Sequence, residues 1–230
     1  MGLPNGIHHL ALMTSDIKGQ IEFCTDVLGA ELKALYWMHG VEGAWHGFLK
    51  LNDHSYLAFV QTPEVATIEA VVGVSHAANP GAPSAAGTMQ HVAFNVDSMD
   101  QLLAMRDRIR SRGINIYGPL NHGMCHSIYF AGPEGLNLEV SYSDVGIDER
   151  AWIDPEVVAL AGISVDELQR YVAPPEFKSQ GGAVAQPPID RSKPHAKFPE
   201  PIYNFLMTTP DEVVTKTLSV SEPPVSVSER

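Results

Sequence analysis

Gly6-Ile-His-His-Leu-Ala-Leu-Met-Thr-Ser-Asp16 and Met89-Gln-His-Val-Ala-Phe-Asn-Val-Asp97 are two versions of one segment. In each, a histidine (His9, His91) leads into alternating apolar residues and then an aspartate, and the two histidines stand 82 residues apart. Leu10 and Leu12 in one copy, and Val92, Phe94 and Val96 in the other, alternate as in a half-buried strand. After the first strand, Ser15 or Asp16 caps a helix whose apolar residues Ile17, Ile21, Cys24, Val27 and Leu28 recur at helical spacing, with Gly29 as its stop. The second helix is expected from about Ser98 to Ser111, burying Leu102, Met105 and Ile109 and ending at Gly113. Three strand-like runs follow each helix. In the first copy they are about Ala30 to Trp37, Ala44 to Leu51 and Ser55 to Gln61. In the second they are Ile114 to Tyr117, His126 to Ala131 and Leu136 to Tyr142, the last entered through the turn Gly132-Pro-Glu-Gly135.

Each half is thus β-α-β-β-β, and a repeat of this size decides the fold before any local motif does. Two such units bury their exposed sheet faces against each other. The expectation is an α+β fold: two tandem βαβββ modules forming a half-open barrel around a metal site, plus a C-terminal extended and helical tail. The modules fall at residues 1–61 and 89–143, the linker at 62–88 and the tail at 144–230. The linker, with Ser75-His-Ala-Ala-Asn-Pro-Gly-Ala-Pro-Ser-Ala-Ala-Gly87, is small and turn-rich. In the tail, Asp154-Pro155 starts a short helix, and Ser164-Val-Asp-Glu167 resembles a capping box opening another to about Val172. Eight prolines from Ala173 to Pro210 are expected to break up regular structure, and Thr215 to Arg230 reads as disordered. Such a tail has too few large apolar residues to fold alone, so it is expected to lie on the body or on a second subunit of a homodimer or higher homo-oligomer.

A chain of 230 residues is long enough to bury a core without staples. Its net charge of −12 offers no basic field for phosphate backbones or anionic lipid, so no nucleic acid or membrane partner is expected. Apolar runs such as Val71 to Val74 fall far short of the roughly 20 residues of a membrane span. The start MGLPNGIHH has no basic and then apolar leader, and two cysteines, both read as buried small hydrophobes, suit a reducing compartment, so a cytoplasmic protein is expected. Ten histidines draw attention to function.

His9 and His91 occupy the same place in the two repeats. In Leu138-Glu-Val140, Glu139 projects opposite its apolar neighbours, and its counterpart in the first module is Ala58. Two histidines and one carboxylate leave adjacent coordination positions open, as in non-haem Fe(II) enzymes; Mn(II) or Zn(II) suits similar ligands. His8 competes with His9, but strand alternation sends it to the other face, and the distance to Asp16 favours His9.

These modules, with His9, His91 and Glu139, resemble the vicinal oxygen chelate superfamily, which includes glyoxalase I, methylmalonyl-CoA epimerase, bleomycin and fosfomycin resistance proteins and type I extradiol ring-cleaving dioxygenases. The resemblance covers about residues 6 to 143. Within it, His122-Gly-Met-Cys-His-Ser-Ile-Tyr129-Phe-Ala-Gly-Pro133-Glu-Gly135-Leu-Asn-Leu-Glu139 is similar to the extradiol signature, with Leu120 and Gly132 as departures. The glyoxalase and epimerase branches draw a further carboxylate or Gln ligand from the first module, and Ala58 cannot serve.

The resemblance implies Fe(II) as cofactor, dioxygen as co-substrate and a small aromatic diol as substrate. It implies that His122 and Tyr129 contact the substrate, with His126 as a substitute for His122 after a small loop shift. It also places His54 close to the family's acid-base histidine, with His46 as runner-up. Two other readings stand beside ring cleavage: a metal-dependent isomerase, epimerase or lyase of the glyoxalase type, and a non-catalytic ligand-binding resistance protein.

Overall fold

The computed structural model describes residues 4–179 and 181–226. It divides into a body ending at Pro174 and a C-terminal unit beginning at Pro175. The first module consists of β1 (His9–Met13), α1 (Ile17–Phe23), β2 (Glu31–Trp37), β3 (Trp45–Asn52) and β4 (Ser55–Gln61). The second consists of β5 (Val92–Asn95), α2 (Met99–Ser111), β6 (Ile116–Asn121), β7 (His126–Ala131) and β8 (Asn137–Tyr142). Each forms a four-stranded sheet, ordered β1-β4-β3-β2 and β5-β8-β7-β6. In both, the first strand runs parallel to the fourth and the remaining pairs are antiparallel. The expected repeat is therefore present strand for strand.

Local chemistry explains the element boundaries. The Asp16 side chain accepts from the Gly19 amide at 2.9 Å and opens α1, whose last turn widens into a π-helical one over Cys24–Leu28. Gly29 ends it with φ 79°, a left-handed conformation that glycine adopts without steric cost. Ser98 caps α2 by accepting from the Gln101 amide. β6 begins two residues later than expected and continues through Pro119, which an edge strand tolerates because its missing N–H faces no partner.

Alternation along the strands then sorts the side chains. Leu10, Leu12, Leu49, Leu57 and Phe59 pack with Ile17 and Cys24 of the first helix. Ile128, Phe130, Leu138 and Val140 pack with Leu102 and Ile109 of α2. Phe23, Leu28, Phe94 and Leu136 touch both clusters, so the two modules share one apolar seam. The opposite faces carry His9 and Ala58 in one sheet, and Ser127, Tyr129, Glu139 and Ser141 in the other, with His91 just ahead of β5.

The body continues past the second module through α3 (Glu149–Trp152), α4 (Pro155–Leu160) and α5 (Val165–Val172). The capping box at Ser164 and Glu167 is complete in both directions. Two expectations for the remaining chain are corrected. The proline-rich stretch holds a regular helix, α6 (Glu200–Thr208), and α7 (Asp211–Leu218) occupies part of the segment read as disordered. Pro201 lies in the first turn of α6, and Pro199 and Pro210 sit at the two N-cap positions, where a missing N–H costs nothing. Within this unit the Arg191 guanidinium lies 3.7 Å from the Tyr203 ring centre and bonds Glu200, leaving Tyr203 buried. The expectations for residues 1–3, 180 and 227–230, the chain start and parts of the tail, lie outside the described residues. No helix among the described residues is long and apolar enough to cross a membrane.

Candidate metal centre

β8 positions Glu139 on the face away from the apolar core, where its side chain is only 6 % exposed. A carboxylate this buried needs partners. Ser141 Oγ donates to Glu139 Oε1 at 2.5 Å, and Ser127 Oγ lies 2.9 Å from Ser141 Oγ. Cys125 Sγ extends the chain at 3.6 Å from Ser127; this cysteine, expected to be buried, is half-buried, because the turn leading into β7 opens its side to solvent. Glu139 Oε2 is left facing His91 Nε2 at 3.0 Å.

The orientation of His91 has a cause. Gln90 Oε1 contacts His91 Nδ1, so that nitrogen carries the donated proton and Nε2 is turned toward the carboxylate. In donor type and orientation, His91 and Glu139 suit a divalent metal.

The first module's contribution is placed differently. His9 Nδ1 lies 2.9 Å from His8 Nδ1, and its ring sits 5.4 Å from Phe48 and 6.4 Å from His46, centre to centre. Among the described residues, no group of three or more His, Cys, Asp or Glu side chains converges closely enough to hold a metal ion. The structure thus brings together His91 and Glu139 but does not gather His9 with them. The His8 carbonyl accepts from the Tyr56 amide at 2.9 Å, continuing the β1–β4 ladder, and its ring meets that of His9 edge-on.

Tyr129 is the cross-strand partner of Glu139, and its hydroxyl lies 2.9 Å from His122 Nε2. Burial chiefly, with the charge of Glu139 adding, holds the Tyr129 phenol above its ordinary range, against a lowering hydrogen bond from Ser127. His122 is held in a tight turn by its amide bond to the Cys125 carbonyl. Trp152 of α3 closes over that turn so tightly that a Cβ on Gly123 would stand 2.7 Å from the indole. His126 lies in β7 opposite Tyr142. His54 sits on the exposed β3–β4 turn, its amide bonded to Asn52 Oδ1 at 2.9 Å. His46 is buried beside Phe48, with its Nε2 lacking a hydrogen-bond partner among the described residues, and burial first, then His9, pushes its imidazole down. Gln90, Ser127, Ser141 and Trp152 were not singled out from sequence; only their period-two placement beside Glu139 or next to His91 would have marked the first three.

Glu134, in the turn before β8, accepts four hydrogen bonds from the first module. Thr14 Oγ1 lies at 2.5 Å, the Ser15 amide and hydroxyl at 2.8 and 2.5 Å, and Gln20 Nε2 at 2.8 Å. Burial raises this carboxyl, but the bonds from Ser15, Thr14 and Gln20 outweigh it and bring it down to about 2. A depressed carboxylate stabilises the fold fully above its unfolded value near 4.5, and that stabilisation is lost as pH falls toward 2. Complete linkage would amount to about 3.4 kcal/mol, and solvent screening on this exposed turn reduces it to about 1–2 kcal/mol. Glu134→Gln is expected to lower stability by that amount at pH 7, with the difference from wild type shrinking below pH 4.5; denaturant melts across pH measure it.

The model for the Glyoxalase/Bleomycin resistance protein/Dioxygenase superfamily matches residues 6–140. Biphenyl-2,3-diol 1,2-dioxygenase 2 of Rhodococcus globerulus is 27% identical over 203 residues, 88% of this chain and 90% of the relative. Biphenyl-2,3-diol 1,2-dioxygenase 3 of the same organism is 22% identical over 143 residues, 62% of this chain and 66% of its own. Among solved structures, a glyoxylase/bleomycin resistance protein/dioxygenase domain from Frankia sp. EAN1pec aligns with TM-score 0.49 and 13% identity over 61% of this chain and 99% of its own. Lactoylglutathione lyase from Agrobacterium tumefaciens aligns with TM-score 0.42 and 21% identity over 60% and 94%. With its two β-α-β-β-β modules and a family match over more than half its length, the chain belongs to the Glyoxalase/Bleomycin resistance protein/Dioxygenase superfamily.

Proposed function

We propose that this protein is a dioxygenase of the extradiol type, opening a catechol-like ring beside its hydroxyl pair with Fe(II) held by His9, His91 and Glu139. One observation supports this reading above the others. The metal-type pair His91 and Glu139 and the proton-sharing pair His122 and Tyr129 lie at neighbouring positions of one sheet, because Tyr129 and Glu139 are partners across β7 and β8. The similarity to a diol dioxygenase along most of the chain favours the same class. When bound, iron would supply a Lewis-acidic template on which a diol and dioxygen take adjacent positions.

The chain's own residues supply orientation and proton control. Ser141 holds one oxygen of Glu139 and leaves the other toward His91, while Gln90 fixes the ring of His91. Tyr129 stays protonated at neutral pH and presents its hydroxyl as a donor to a substrate oxygen that gains negative charge. His122 Nε2, 2.9 Å away, exchanges that proton. Tyr129→Phe is expected to lower kcat about 100-fold, the usual cost of one such donor, with iron content unchanged by metal analysis.

The test is anaerobic reconstitution with Fe(II), addition of a panel of catechols, and admission of air. Oxygen uptake with yellow ring-opened product supports the proposal. No uptake with any diol overturns it, and turnover that proceeds equally without oxygen moves the protein to the isomerase or lyase class.

A further inference from the structure

We propose that Glu134 is a positioning residue for the metal centre, a latch that sets how His9 of the first module stands toward His91 and Glu139 of the second. The inference rests on the three-ligand reading above. Its basis is where the latch sits in the chain. β1 starts at His9 and ends at Met13, so the latch residues Thr14 and Ser15 directly continue the strand that carries the first ligand. Glu134 stands in the turn three residues before β8, which carries Glu139 at its third position. The carboxylate therefore ties the end of one ligand-bearing strand to the beginning of another. The third ligand-bearing segment reaches the same seam. A cavity of about 160 Å³ there is lined by Leu12 and Met13 after His9, by Met89 and Gln90 before His91, and by Leu136 and Asn137 before Glu139.

The latch is built against local cost. Glu134 has φ 55° and ψ 30°, and it is the one non-glycine residue with positive φ among those described. A side chain in that region is held there by its surroundings, and the four hydrogen bonds to the first module are what hold it. A glycine would take the same backbone shape more easily, so the carboxylate, and not the turn, is what this position requires.

Glu134→Gly removes the carboxylate while suiting the backbone, and Ser15→Ala removes a donor from the other module. Both are measured as full chains by Co(II) titration, with the visible ligand-field spectrum and thermal melts recorded alongside. We expect each to weaken Co(II) binding at least 10-fold and to change the ligand-field bands, with the double variant no worse than Glu134→Gly alone, because both act through one contact. Rescue is expected with Glu134→Gln, which keeps one acceptor oxygen and restores part of the affinity. Unchanged affinity and spectrum in Glu134→Gly, whatever its melting temperature, overturns the proposal. If His9→Ala in the otherwise wild-type chain leaves Co(II) affinity and spectrum unaltered, the three-ligand reading fails and the latch's role fails with it; loss in His9→Ala beside no change in Glu134→Gly sinks the latch alone.

Discussion

Replacing His91 or Glu139 by alanine is expected to remove tight Fe(II) binding while the protein remains folded. The two side chains meet at 3.0 Å on a face that neither apolar cluster uses, so deleting either leaves the packing of Leu102, Ile109, Ile128 and Leu138 intact. Removing a supporting hydrogen bond around a metal costs 10–100-fold in affinity, so loss of a ligand itself should exceed about 100-fold. His9→Ala is expected to behave the same way, and His8→Ala to have a far smaller effect. The rings of His8 and His9 touch through their Nδ1 atoms, which makes the comparison between them informative. If His8→Ala lost iron and His9→Ala kept it, the register assigned to β1 as a ligand strand would be wrong. Anaerobic Fe(II) titration with thermal melts decides it.

His54→Ala is expected to retain iron and substrate binding but to lower kcat by about 10²–10⁴-fold, the range for a positioned acid or base. His54 is exposed on the turn at the entrance to β4, its amide held by Asn52 Oδ1. His46 presents the contrast. It is buried against Phe48 and Tyr36, its Nε2 has no hydrogen-bond partner among the described residues, and burial first, then His9, pushes its imidazole down. Steady-state kinetics of both alanine variants separates them: full turnover in His54→Ala together with loss in His46→Ala would transfer the acid-base role to His46.

The fold was legible because its pattern is written twice. Period-two apolar alternation around His9 and again around His91, with Ser15 or Asp16 as the first cap, a helix start near Ser98, and Gly29 and Gly113 as stops, is local information; in the structure Asp16 is the first cap, Ser98 caps the second helix, and both glycines follow their helices. The Pro-rich segment was misread because proline was counted as a breaker without regard to position; at Pro199, Pro201 and Pro210 it begins helices. Alignment to the diol dioxygenase over 203 residues also carries the similarity past Tyr142, where the sequence pattern ended it.

In the site, alternation and the repeat mark His91 and Glu139 as candidates, and the parallel pairing of β5 with β8, which the structure supplies, brings them together. The partners that orient them were not visible. Gln90 and Ser141 act on their own chain neighbours through side-chain rotamers that a sequence pattern does not specify, and Ser127 reaches Ser141 across the β7–β8 ladder, whose register no single strand reveals. The latch from Glu134 to Thr14 and Ser15 spans more than a hundred residues and depends on how two modules meet, a relation with no periodic signature.

The most direct test of the central claim is isotopic. Fe(II)-loaded protein is given a catechol it turns over under ¹⁸O₂, and the ring-opened product is examined by mass spectrometry. Dioxygenase chemistry predicts that both atoms of one oxygen molecule enter the product, once exchange of the carbonyl oxygen with water is corrected for. A product formed at the same rate with no label would contradict it.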